Sequence, residues 1–496
     1  MRAGKRGTRV GGVHAGTRWA AITGLLLLGG AACGDGVGPS ARDGSGDLLI
    51  RYVQRLPTID YVERSADPTR EGWPAEGSTV TWHAVLLNTS ATSRSVGGRW
   101  TVDGVAAPFA AVEVPPGGEA AVDLDLRWSF QRQRIAIDIE PVDGAGESNP
   151  FNNTRTFYSD ALSIGFWIEE GLYKDTFQGV RIPFEDWAHF EIERWNTMLE
   201  GAVFPETPNG VLDRVRIDKI VLVPDQSLEG PTRPAPDDRS IDLQWGFPIY
   251  DAPYYAALLR TGANGSLLHE LGHARYLIDV YGFEVANGIR GDTIEIEEGG
   301  VLIAGSDYMP SLGPVIFGSP AGVQNGILVH QSYKGLMNAQ YDRMDRYSAA
   351  ALNLIAGHRA VAGNANSPDN IGVFLQDLPE DNVLRLTDRT GQPLSGAEVS
   401  VYRAEPNIQR FAKRFDNIPD LTAVADGEGR VAIGRNPFAD GPILHGYGAN
   451  GVAIVRVAHA GCVGFTFLEV PTFNLAYWRG ETVRAEYDTV VELVCA

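Results

Sequence analysis

His269, Glu270 and His273 are the residues of this chain whose types and spacing dictate a particular chemistry. In an α-helix each residue advances about 100°, so two histidines four apart lie about 40° apart on one face and can grip a single metal ion. Glu270, beside the first histidine, reaches a water on that metal rather than the metal itself. It is therefore the candidate general base for attack on a peptide carbonyl. Leu267, Leu268 and Leu271 give the same helix an apolar side, and Gly272 leaves room for close approach over the metal. The plain alternative is a buried helix with two hydrogen-bonded histidines. A catalytic zinc takes three protein ligands and keeps one position open. Asp279 is six residues past His273, which on a continuous helix turns it about 240° away, so it can ligate only where the helix breaks first. His330, or one of Glu295, Glu297 and Glu298, is the rival third ligand.

The run from His269 to Tyr281 resembles the H-E-x-x-H-x-x-G-x-x-D pattern of snapalysin and the immune inhibitor A-like peptidases, with His269, Glu270, Gly272, His273, Leu277, Asp279 and Tyr281 matching. Tyr276 stands where that family has a turn glycine, and Ile278 where it often has proline. The resemblance implies a metzincin-like zincin fold, one zinc ion held by His269, His273 and Asp279, and hydrolysis of peptide bonds. The G-L-M-N at Gly335 to Asn338 is similar to the methionine turn beneath the zinc of metzincins, which gives Met337 a packing role there; an ordinary apolar loop residue is the alternative. Tyr333 and Tyr341 flank that turn, and either phenol is a candidate oxyanion stabiliser, with plain packing as the other reading. Calcium is not indicated.

The elements around these residues follow from periodicity. LSIGFWI at Leu162 reads as a strand. Phe184, Trp187, Phe190, Trp195, Met198 and Leu199 recur at helical spacing after Pro183 and read as a core stripe. KIVLVP at Lys219 and SIDLQWGFP at Ser240 read as strands, the second as an edge on which Gln244 and Trp245 set peptide specificity. The stretch from Gly282 to about His330 is Gly-rich and irregular. After it, Met344, Tyr347, Ala351, Leu354 and Ile355 form one face of a closing helix.

The rest of the 496-residue chain divides around this core. Residues 1–32 carry a basic leader, an apolar run from Ala20 to Leu28 and a small-residue site, the pattern of a lipoprotein signal with Cys33 as the lipidated residue; ordinary cleavage near Ala32 is the alternative. Residues 33–46 form a Gly-, Ser- and Asp-rich tether. From 47 to 160, short alternating runs broken by turns every ~10 residues read as a β-sandwich. Its V-D-G turn at Val102, Pro-Pro-Gly-Gly at Pro115 and E-S-N-P-F-N-N at Glu147 resemble the immunoglobulin-like CARDB domain. The catalytic region spans 161–360 and a polar linker 361–370. Residues 371–496 return to β patterning, with D-x-x-G-x-P-L-x-G-A-x-V from Asp388 and A-D-G-x-G-R from Ala425 resembling prealbumin-like, carboxypeptidase-regulatory-type domains. The expected fold is thus an α+β catalytic domain between two all-β sandwiches.

The formal charge of −20, from 62 acidic and 42 basic residues, argues against nucleic acid as a partner. With Cys33 assigned to lipid, the other two of the three cysteines, Cys462 and Cys495, form either one disulfide or two buried thiols. The expected protein is an exported, membrane-anchored monomer acting on protein or peptide substrates. The rival is a cell-surface adhesion lipoprotein whose zinc site is vestigial or structural.

Overall fold

The computed structural model describes residues 46–58, 73–178, 182–229, 238, 240–261, 265–275, 277, 283–285, 293–298, 301–304, 322–324, 327–330, 334–338, 342–356, 377–403, 412–416, 418–438 and 452–495. Seven strands come first: β1 (Leu48–Leu56), β2 (Thr79–Asn88), β3 (Arg94–Val102), β4 (Val105–Val114), β5 (Glu119–Arg127), β6 (Arg134–Pro141) and β7 (Thr154–Tyr158). They pair antiparallel in two sheets, β1-β2-β5 and β4-β3-β6-β7. Period-two patterning decides which residues face inward. In β2, Val80, Trp82, Ala84 and Leu86 are buried, while Thr81 and His83 point out to Asp125 and Asp123 on β5, at 2.5 and 2.6 Å. The β3–β4 hairpin turns on Asp103 and Gly104, both at positive φ (47° and 86°), the backbone that a two-residue turn between twisted strands requires.

The next sheet is parallel. β8 (Leu162–Glu169) runs between β9 (Val215–Val223) and β10 (Leu243–Phe247). With a neighbour on each side and cover on each face, every residue of β8 is buried. Parallel pairing of β8 with β9 needs a crossover, which α1 (Phe184–Gly201) supplies. Phe184, Trp187, Trp195 and Leu199 are buried as expected, with Phe190 and Met198 half-buried. Glu185, Asp186 and Glu191 on the same helix are buried too. The physical reason is a second neighbour, the sandwich. Arg51 on β1 meets Glu185 at 3.3 Å, and Tyr173 donates to the same carboxylate at 3.2 Å. Asp186 accepts from Asn149 and Asn152, at 3.0 and 2.9 Å. The His189 ring donates from Nε2 to the Arg51 carbonyl at 2.8 Å. On β9, Asp218 accepts from Arg216 at 2.9 Å and from the Arg55 amide at 3.4 Å, and the Arg216 guanidinium lies 5.0 Å from the Trp82 ring.

Two helices follow, α2 (Ala252–Thr261) and α3 (Gly265–Ala274). Between Phe283 and His330, read from sequence as irregular, the structure has β11 (Phe283–Val285), β12 (Thr293–Glu298), β13 (Val301–Ala304), β14 (Gly322–Gln324) and β15 (Ile327–His330). β11, β13, β14 and β15 have only three or four residues each, too few for a period to show among the glycines around them, whereas β12 alternates Ile294 and Ile296 with Glu295 and Glu297 and carries a strand signal in the sequence. Helix α4 (Arg346–Leu354) comes next, with Asp345 as its N-cap. Met344, Tyr347, Ala351 and Ile355 are buried, but Leu354, in the last turn of a nine-residue helix, is 47% exposed and departs from the expected face.

The last strands are β16 (Asp381–Thr387), β17 (Glu398–Arg403), β18 (Ala412–Asp416), β19 (Leu421–Val424), β20 (Arg430–Gly434), β21 (Val452–His459), β22 (Cys462–Glu469), β23 (Arg484–Val490) and β24 (Val494–Cys495). They form the sheets β20-β16-β23 and β19-β17-β21-β22-β24, while β18 pairs in parallel with β12. Against the all-β expectation, helix α5 (Val470–Trp478) interrupts them. Its residues are apolar nearly all round, so no amphipathic period marked it; Pro471 in the first turn was the available signal. Trp478 at its end stacks on Tyr347 of α4, with centroids 5.6 Å apart, and Arg346 holds Glu206 through two bonds of 2.6 and 2.8 Å. The described residues are mostly strands in several small sheets, with few helices. None of the helices among them is long and apolar enough to cross a membrane.

Candidate metal centre

Helix α3 carries His269, Glu270 and His273. Leu267, Leu268 and Leu271 are 1% exposed or less and fix its apolar side in the core. The helix ends after Ala274. The Arg275 amide still bonds back to the carbonyls of Leu271 and Gly272, both at 3.0 Å, and the Leu277 amide returns to the Gly272 carbonyl at 3.0 Å. A bond from five residues beyond its acceptor is the signature of a chain folding back on a finished helix. The helix therefore breaks before Asp279, and Tyr276, Ile278 and Asp279 themselves lie outside the described residues.

Both histidines have their protonation pattern set by main-chain carbonyls. Nδ1 of His269 lies 3.0 Å from the Leu336 carbonyl oxygen, and Nδ1 of His273 lies 2.9 Å from that of Leu277. A carbonyl oxygen only accepts, so each Nδ1 carries the proton. In the neutral ring Nε2 then holds the lone pair, the form in which imidazole binds a metal. The two ring centroids are 4.8 Å apart with planes at 89°. Glu270, between them in sequence, is half-buried. This donor set fits zinc at two of the three protein positions it uses in catalytic sites. Among the described residues no group of three His, Cys, Asp or Glu side chains assembles.

Beneath the helix lies a short helical turn, Leu336–Asn338. Met337 is completely buried there. A Cβ on Gly272 would sit 2.6 Å from Met337 Sδ and 3.4 Å from Leu277 Cδ1, so the methionine packs directly against the glycine and would have to shift to admit a larger residue. The turn is tied down in its own right. The Leu336 amide donates to the Arg343 carbonyl at 2.8 Å, and a Cβ on Gly335 would fall 2.4 Å from the Asp345 amide nitrogen. Asp345 accepts from the Ser348 amide and hydroxyl at 2.8 and 2.7 Å, while burial pushes its carboxyl above the usual range.

The other sequence candidates divide by what is described. Tyr333, Tyr341 and Cys33 lie outside the described residues. For the rival ligands, His330 is the last residue of β15, and Glu295, Glu297 and Glu298 lie on β12, which pairs with β13. Cys462 and Cys495 form a disulfide between register partners on β22 and β24. β10 does lie at a sheet edge among the described residues. The specificity role given to Trp245 needs correction, because its side chain is 6% exposed and packs in the core cluster. Gln244 is half-buried and donates to the Asp238 carbonyl at 2.6 Å. Two positions passed over in the sequence also matter. Arg275, at the end of α3, is fully buried, and Asp213 receives its guanidinium. A basic residue just past a helix gives no sequence sign of burial, because that is also where a solvated cation favours the helix dipole.

No family model matches the chain, and no curated protein matches it. Among solved structures, the chain is similar to the CARDB domain of a Pyrococcus furiosus protein in complex with di-metal ions, at 16% identity and a TM-score of 0.18, over 24% of this chain and 91% of that one. It is also similar to a domain assigned to a cell surface protein of Methanosarcina acetivorans, at 20% identity and a TM-score of 0.16, over 23% and 90%. A calcium-binding mutant of Bacteroides uniformis β-glucuronidase 2 aligns at 9% identity and a TM-score of 0.20, over 90% of this chain and 61% of that one.

Proposed function

We propose that the chain is an exported zinc-dependent endopeptidase with a metzincin-like catalytic region. The observation that carries this reading is the pair His269 and His273, each with Nδ1 on a main-chain carbonyl, on a helix whose Gly272 rests on the buried Met337. The helix ends where a third ligand from Asp279 requires it to end. When bound, zinc supplies a Lewis acid that polarises the scissile carbonyl and brings a water's pKa toward ~7. Glu270 takes the proton from the attacking water and returns it to the departing amine, so that one carboxylate serves as base and then as acid. Its place beside His269 suits that work, since a purely structural site has no use for a base. Tyr333 or Tyr341 donates to the developing oxyanion. The protein is anchored as a monomer through lipidated Cys33 and acts on protein or peptide substrates outside the cell, without nucleic acid.

The test uses purified full-length protein. Hydrolysis of a casein-type substrate that is lost with a chelator, restored by zinc and absent in Glu270→Ala supports the peptidase. Zinc retained at one equivalent with no hydrolysis of any protein supports the rival, a surface adhesion protein with a structural or vestigial zinc site.

A further inference from the structure

Arg275 is wholly buried, and its guanidinium makes two parallel bonds to Asp213, Nε to Oδ2 at 2.7 Å and Nη2 to Oδ1 at 2.9 Å. Nη2 also donates to the carbonyl of Ile355, which caps the C-terminus of α4, at 3.2 Å. One side chain thus joins the end of α3, the lead into β9 and the end of α4. Stability is a weak reason for such a pair, because desolvating two charges costs several kcal/mol and an apolar pair of the same volume often does as well. Its position supplies a better one. Arg275 sits where α3 gives way to the turn. Two residues on, Leu277 bonds through its amide to Gly272 and through its carbonyl to His273 Nδ1.

We propose that Arg275 is a positioning residue of the metal centre, acting through Leu277. The fork to Asp213 fixes the turn that ends α3. That turn holds the Leu277 carbonyl against His273 Nδ1, which keeps His273 in the form that binds metal through Nε2. His269 receives the same service from Leu336, in a turn anchored separately by Arg343 and Asp345. The two ligands are thus oriented through different turns, and loss of the fork acts first on the His273 side. The inference rests on the reading of His269 and His273 as metal ligands.

The test compares full-length wild type with Arg275→Met/Asp213→Leu, which removes the pair without stranding a charge, and Arg275→Lys, which keeps the charge but not the fork. Zinc affinity is measured by competition with a chromophoric chelator, metal geometry by the visible spectrum of the cobalt-substituted protein, and folding by thermal unfolding of the metal-stripped protein. The double variant is expected to unfold close to wild type while binding zinc about 10 to 100-fold more weakly, with altered cobalt bands. Arg275→Lys is expected to fall between the two, and it decides the matter if the double variant does not fold. A folded variant with wild-type zinc affinity and cobalt spectrum overturns the proposal and leaves the metal site standing. Wild-type protein that binds neither zinc nor cobalt overturns both.

Discussion

Replacing Gly272 by alanine places one methyl 2.6 Å from Met337 Sδ, roughly 1 Å inside ordinary carbon–sulfur contact. Met337 is completely buried, so its side chain must shift within a packed core to make room, and strain on the turn that carries it follows where it cannot. Overfilling a packed core in this way costs about 1 to 3 kcal/mol, while alanine in a helix regains about 1 kcal/mol over glycine. The net loss expected for Gly272→Ala is therefore about 0 to 2 kcal/mol. Met337→Ala leaves a cavity and is expected to cost about 2 to 5 kcal/mol. In the double variant the new methyl enters the vacated space, so the combined cost falls short of the sum by about 0.5 to 3 kcal/mol. Urea unfolding of the three variants gives the coupling. Chelator competition gives the second readout: displacement of Leu336 disturbs its bond to His269, so Gly272→Ala is expected to bind zinc about 10 to 100-fold more weakly. Additive costs together with unchanged zinc affinity would refute the claim that the methionine turn supports the metal helix.

Glu270→Gln is expected to lower hydrolysis by about 10² to 10⁴-fold while zinc content stays at the wild-type level, which metal analysis beside a rate assay checks. Burial raises the Asp218 carboxyl to about 6 against the pull of Arg216 and Arg55. A raised folded-state pKa favours the folded protein below the ordinary value near 4, and the benefit is lost as pH climbs through about 6. Wild type is thus expected to lose stability relative to Asp218→Asn across that window, by about 1 to 3 kcal/mol. Parallel pH curves for the two proteins would count against it. Serine at Cys462 and Cys495 removes the bridge that pins β24 to β22 and is expected to cost about 2 to 4 kcal/mol, read from thermal unfolding beside reduced wild type.

The parts of this molecule legible in the sequence are those set by short-range pattern. The apolar-sided helix that carries His269, Glu270 and His273, alternating strands such as Thr79–Asn88 and the Asp-Gly turn at Asp103 belong to that class, while the cysteine pair left a disulfide and two buried thiols to be decided by the fold. What stayed hidden depends on partners from afar. Glu185, Asp186 and Glu191 look solvated until the sandwich is docked on α1, and Arg275 looks like a helix-end cation until Asp213 is brought across from the approach to β9. The orienting groups of the site are carbonyls of Leu277 and Leu336, and a carbonyl leaves no trace in residue type. For Trp245, strand and edge are legible in the pattern, while the side of the strand that enters the core is not.

Zinc content and hydrolysis, measured together on wild type and Asp279→Ala, decide between a zinc peptidase with Asp279 as third ligand and its rivals. Wild type is expected to hold about one zinc per chain and to show chelator-sensitive proteolysis, and the variant is expected to lose both. A wild-type protein without zinc, or an Asp279→Ala protein with full zinc occupancy and full activity, would contradict that peptidase reading.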